Sequence, residues 1–257
     1  MNKNIKCLIM IILICFSFYY TSVVKELSDK NNVVMSMIDE YSINNDIKCI
    51  EGIINNDGVV LSYNGKIVDK ESSYSNMKGS IFDESLIEYK KDKCILNKED
   101  NIDKYIISAN NHEKKVSIVI DIDSGLYFKR MKDIFDNEKS QVNYLVNYNN
   151  INLVSENILI KTNTDNIKKF KTKANHFYCV KYDEFDVLEY CKKEHINSIR
   201  MVNYINNNLL YNAKKMINNG SIIFIKESES NYIELYATIK YIKSRGYSIV
   251  SIDKLLS

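Results

Sequence analysis

Several things are missing from this 257-residue chain, and each absence narrows the reading. There is no proline and no tryptophan. Beside abundant Asn, Lys and Ile, that is the composition of an AT-rich genome rather than a functional signal. An excess of either charge is missing as well, with Lys and Arg at 35 against 33 Asp and Glu. Nucleic acid is thereby excluded as a main partner, because a polyanion selects a basic surface. The apolar share, 45%, is ordinary and argues against disorder over most of the chain. Cys7, Cys15, Cys49, Cys94, Cys179 and Cys191 lack the paired Cys-x-x-Cys spacing of a zinc site. They read as buried free thiols, with a Cys179–Cys191 disulfide as the alternative that spacing alone does not decide. The histidines are His112, His176 and His195, and no two stand three or four residues apart, as helical metal ligands do. Each therefore reads as a surface residue. No internal repeat or low-complexity linker is visible.

What is present begins with an apolar run. Lys3 and Lys6 precede Cys7 to Val24, which carries no charge. At about 18 residues it suffices to span a bilayer as a helix. Lysines before the span place the N-terminus in the cytoplasm and the rest of the chain outside. A cleaved signal peptide competes, but the run is long for one and lacks a small-x-small cleavage site. An uncleaved anchor over 1–26 is the expectation. A weakly helical stalk follows over 27–46, with Val34, Met37, Ile38 and Tyr41 on one face.

Residues 47–112 read as a small α+β module. Asn64-Gly65, between Val59–Tyr63 and Lys66–Val68, is a hairpin signal. Asn56-Asp57-Gly58 marks another turn. A short helix is expected over Lys70–Met77 and a strand over Tyr105–Ser108. The module carries no recognisable chemistry.

From residue 113 onward strands alternate with helices, which implies a parallel sheet or barrel with helices outside. Strands are expected at Val116–Asp121, Val142–Val146, Asn157–Ile160 and Ser198–Val202. Helices are expected at Leu126–Phe135, Tyr182–Glu194 and Leu209–Ile217. Active sites in such folds lie at the C-terminal ends of the strands. A strand–helix–strand unit closes the chain. Ser221–Ile225 is short and β-branched. Tyr232, Leu235, Tyr236, Ile239 and Ile242 recur at helical spacing. Gly246 stands where a left-handed C-cap falls, and Tyr247–Ser251 is a second strand, parallel to the first.

The wording of this unit resembles the C-terminal end of the polysaccharide deacetylase family, a "GSIILLHD" strand, a helix, then "KGY.FVTLSELL". The same places here read Gly220 to Lys226 and Arg245 to Leu256. The resemblance covers about 115–257 and implies an α/β fold, a distorted and shortened (β/α) barrel. In that family one Asp and two His hold a divalent metal such as zinc, a second Asp is the base and a later His the acid. The metal polarises the amide carbonyl and lowers the pKa of bound water. The base takes a proton and the acid gives one to the leaving amine.

Laid on this chain, most of those parts are replaced. The "TFDDG" motif falls at Val119 to Gly125: Asp121 matches the base, and the metal Asp reads Ile122 unless Asp123 substitutes. In an alternating strand Asp121 and Asp123 point the same way. The His-Thr-x-x-His pair falls at Asn163 and Ile167. The arginine-and-proline loop falls at Phe177–Lys181 with neither feature, the strand Trp at Met201 and the acid His at Lys226. Vestigial site residues are therefore Asp121, Asp123, Lys226 and Glu227, with no metal or other cofactor.

The resulting expectation is a membrane-anchored, extracytoplasmic, non-catalytic protein with a binding or assembly role at the cell envelope. A cell-wall glycan or an envelope protein would be its partner. One rival is an active zinc deacetylase of N-acetylated glycans with a rebuilt site of Asp121, Asp123, Glu227 and His176. Another is a scaffold acting through the 47–112 module.

Overall fold

The computed structural model describes residues 3–161, 167–172, 174, 176–181 and 186–257. The helices are α1 (Lys3–Asn45), α2 (Lys70–Met77), α3 (Phe128–Asn137), α4 (Ile167–Lys171), α5 (Leu188–Lys193), α6 (Leu209–Met216), α7 (Glu229–Ser244) and α8 (Ile252–Leu255). The strands are β1 (Ile53–Asn55), β2 (Gly58–Leu61), β3 (Gly65–Val68), β4 (Tyr89–Asp92), β5 (Tyr105–Ala109), β6 (Lys115–Asp121) and β7 (Asn143–Val146). They continue with β8 (Ile158–Lys161), β9 (Phe177–Lys181), β10 (Ser198–Arg200), β11 (Asn203–Ile205), β12 (Ile222–Lys226) and β13 (Ser248–Ile249). Two compact units result, one of Met1–Lys48 with Gly65–Asp92 and one of Cys49–Asn64 with Lys93–Ser257.

The first unit is organised on α1. Anchor and stalk are one continuous helix, as a stretch without glycine or proline allows. From Met10 it is long and apolar enough to cross a membrane by length and composition. Farther along, Val34 and Ile38 are buried with Val68 and Met77. Strands β3 and β4 pair antiparallel. Asp69 caps α2 by accepting from the Ser72 N–H, the usual way to satisfy an orphan donor.

The second unit is a curled half-barrel sheet in the order β1-β2-β5-β10-β9-β8-β7-β6-β12-β11, with β13 also on β6. Only β1 runs antiparallel to its neighbour; the rest of the named pairings are parallel. Strands β10 and β11 are consecutive in the chain, yet β10 lies between β5 and β9 while β11 ends the order beside β12, so the stretch from Ser198 to Ile205 draws the curl together. Gly220 adds a second join. Its φ is +80° and a Cβ there would lie 1.4 Å from the Ala109 carbonyl oxygen, so only glycine lets β5 approach this closely.

Burial on both faces explains why these strands read as continuous apolar runs. On the inner face Val119, Leu145, Leu159, Val180, Ile199 and Phe224 meet, and Ile252 and Leu255 of α8 join them. On the outer face Ile118, Ile120, Ile223 and Ile225 pack with helix residues such as Met131, Phe135, Leu235 and Ile239.

Several expectations change here. The stretch 47–112 is divided between the two units, because β1, β2 and β5 pair into the large sheet while β3 and β4 do not. Asn64-Gly65 is not a hairpin turn; β2 and β3 lie in different sheets. The turn that closes β1 on β2 is at Asn56-Asp57, where Asn55 Oδ1 accepts from the Asp57 and Gly58 N–H groups. Four of the cysteines are not free thiols: Cys49 bonds Cys94 and Cys179 bonds Cys191; among the described side chains Cys15 is free, and it is exposed. The last strand is shorter than Tyr247–Ser251, because Ser251 caps α8. The helix expected over 182–194 is described only as α5; 182–185 lie outside the described residues.

Candidate functional site

Strand alternation sets the site. On β6, Val119 faces the inner cluster and Ile120 the outer one, so Asp121 at the strand's C-terminal end shares the inner side. By the same count Lys161, the last residue of β8, follows Leu159 inward. The two side chains meet as an ion pair, with 4% of the Asp121 side chain exposed and 16% of Lys161. Tyr204 on β11 donates its hydroxyl to Asp121 Oδ2 at 2.8 Å. Three strands thus converge on one buried carboxylate. Burying a charge is tolerable only when it is paired and hydrogen-bonded, and Lys161 and Tyr204 meet both conditions.

Glu227 is also buried, for a different purpose. Its Oε2 accepts from the Asp123 and Gly125 N–H groups at 3.1 and 2.8 Å. Its Oε1 accepts from those of Tyr127 and Phe128 at 2.6 and 2.9 Å. Phe128 opens α3, so the carboxylate sits at a helix N-terminus, where a negative charge is favoured. Glu227 is a peg for the loop from β6 to α3. Asp123 lies in that loop, past the end of β6, and is exposed while Asp121 is buried. The alternation that would aim both to one side stops at Asp121. Lys226 is exposed and stands opposite Asp121 in the β12–β6 register.

The remaining positions separate. Ile167 is buried in the outer, helix-side cluster; Asn163 lies outside the described residues. Met201 packs partly buried against the inner cluster. His176 precedes β9 at its N-terminal end and bonds Asp253 at 2.8 Å. It is thus at the opposite end of the sheet from Asp121, away from the strand-end mouth. Tyr178 donates to the same Asp253 oxygen at 2.6 Å. His112 is exposed in a loop, and His195 is exposed past α5.

These donors do not fit a divalent cation. Such an ion asks for several neutral or anionic ligands. Around Asp121 the described side chains supply an ammonium and a phenol instead, and the four N–H groups hold Glu227. Lys161 and Tyr204 were not singled out in the sequence. A lysine ending an apolar strand on its inward side is the one local signal for Lys161; the pairing itself spans β8, β7 and β6.

Among solved structures the chain is similar to a family 4 carbohydrate esterase pseudoenzyme from Bacillus anthracis. The match has a TM-score of 0.63 and 19% identity, and covers 87% of this chain and 95% of that one. A mutant of that pseudoenzyme with restored enzymatic activity matches with a TM-score of 0.65 and 18% identity, over 87% and 98% of the two chains. At such identity the likeness is one of fold: the chain has the fold of the polysaccharide deacetylases. No protein-family model matches the sequence, and no curated protein does.

Proposed function

We propose that this is a membrane-anchored protein of the cell envelope whose deacetylase-like domain binds or assembles rather than catalyses. The observation that carries the reading is the Lys161 ammonium on Asp121. A base that activates water on a metal needs a cation beside it with an open coordination position. An ammonium offers the charge and no such position. The peg role of Glu227 argues in the same direction, since that carboxylate is committed to four backbone donors. The rebuilt-site rival is correspondingly disfavoured.

Location follows from two features. The N-terminal helix suits an anchor or a secretion signal. Two disulfides fit an oxidising compartment. A cell-wall glycan is the ligand suggested by analogy of fold alone. The test is to purify the full chain in detergent, then measure bound zinc and acetate release from chitooligosaccharides. We expect neither, together with co-sedimentation of the protein with peptidoglycan. Stoichiometric zinc and turnover that Asp121→Asn abolishes would overturn the non-catalytic reading.

A further inference from the structure

Among the described residues, one set of three cysteine, histidine or acidic side chains brings its ligand atoms within 4.8 Å of one another. It consists of Cys49, Glu51 and Cys94, all in the second unit, and none of them belongs to the strand-end site of Asp121. The two sulfurs are bonded to each other. Glu51 Oε1 stands 3.5 Å from Cys49 Sγ. That is close to one edge of a zinc tetrahedron. With Zn–S at about 2.3 Å and Zn–O at about 2.1 Å, the sulfur and the oxygen are about 3.6 Å apart.

The carboxylate is held in that place by its surroundings. Its Oε2 accepts from the Ser62 hydroxyl at 3.0 Å, and its Oε1 from the Ile95 N–H at 3.3 Å. The Ser62 oxygen in turn accepts from the Gly52 N–H at 2.8 Å. On the sulfur side, the Cys94 N–H donates to Asn64 Oδ1 at 3.0 Å. Outer contacts of this kind orient ligands. Access separates this pair from the other disulfide. Cys179 and Cys191 are both fully buried, whereas Cys49 is half-buried and Glu51 exposed. Exposed disulfides are the labile ones.

We propose that Cys49, Cys94 and Glu51 form a site for a zinc-class divalent cation, closed while the two sulfurs are bonded and opened by reduction. A dithiol supplies the two electrons: it leaves as a cyclic disulfide, and its two protons pass to Cys49 and Cys94. Binding the cation releases those protons, because the thiolate is the ligand. Two thiolates and one carboxylate leave the fourth position to water. Sulfur ligands select zinc over magnesium or calcium. The zinc measurement described above is made on the oxidised chain, in which this site is closed, so the two tests do not interfere.

The test uses the full chain in detergent, on a Cys7→Ser, Cys15→Ser background. Mild treatment with dithiothreitol, then its removal under nitrogen, should open Cys49–Cys94 before Cys179–Cys191; alkylation and peptide mass mapping report the order. The reduced chain should bind one Co2+ with sulfur-to-cobalt charge-transfer absorption in the near ultraviolet, and Zn2+ should displace it. The oxidised chain and the alkylated chain should show no such band. Glu51→Gln should weaken Co2+ binding by about 10–100-fold and leave the ease of reduction unchanged. Cys49 and Cys94 mapped as free thiols without a charge-transfer band would overturn the site. Opening of Cys179–Cys191 first would overturn it as well, and so would an affinity that Glu51→Gln does not change.

Discussion

The two units differ in how much they bury. The half-barrel unit has apolar side chains packed on both faces of its sheet. Among its described residues the first unit buries four apolar side chains, Val34, Ile38, Val68 and Met77, and leaves Val33, Met37 and Ile81 outside. A large core holds its shape without help from the mouth of the barrel. Asp121 can therefore be held by Lys161 and Tyr204 within an intact deacetylase fold. A small core is stable on less margin.

The sharpest way to break this contrast is inside the half-barrel. Phe224 is fully buried, and Phe224→Ala should lower the stability of that unit by about 3–5 kcal/mol. Read by segment-resolved hydrogen exchange, protection should fall in β6 to β12 and stay unchanged in α2 and β3. Met77→Ala should do the converse, losing about 2–5 kcal/mol in the first unit alone. A loss shared by both units in either variant would show that they unfold as one.

Next in size is the ion pair. Lys161→Met leaves Asp121 buried without its cation, which costs about 3–5 kcal/mol for a buried pair. Adding Asp121→Asn should restore most of that in urea denaturation, because no uncompensated charge is left. If Lys161→Met alone is neutral, the pair is not the device described above. Glu227→Gln keeps the shape but loses the charge that four N–H groups face, an effect of about 1.5–3 kcal/mol, visible as faster amide exchange at 123–128.

The smallest effect is with pH. The Tyr105 hydroxyl, and then the Leu188 N–H, hold the Asp186 carboxyl below its usual range. A depressed carboxyl contributes stability above its unfolded pKa, about 3.9, and that share is lost as pH falls through the lower folded value. Asp186 is exposed, so solvent screening keeps the contribution under about 1 kcal/mol. Tyr105→Phe should flatten the acid limb of the stability curve below about pH 4; an unchanged limb would remove this bond from the account.

Local pattern made much of this fold legible. Strand β6 showed as a β-branched run, and α7 as apolar residues at helical spacing closed by Gly246. Helix α2 was readable at its observed bounds, whereas the stretch that read as an anchor and a separate stalk is the one helix α1. Other features needed distance. Asn64-Gly65 has the chemistry of a hairpin turn, yet the strands beside it found partners elsewhere in the chain. Cys49 and Cys94 meet across 45 residues, and no spacing rule covers that. Glu227 read only as a vestigial site residue, because its N–H partners belong to a loop about a hundred residues earlier.

The sequence by itself determined the alternation of strand and helix, the apolar N-terminal helix and the wide spacing of its three histidines. These depend on residue type and short-range period, which the chain carries locally. Only the tertiary structure decided that Lys161 and Tyr204 close on Asp121, that Glu227 is a peg, and that Cys49 pairs with Cys94 and Cys179 with Cys191. Each of those is a contact between strands or loops far apart in sequence, and their distances are fixed by how the sheet curls.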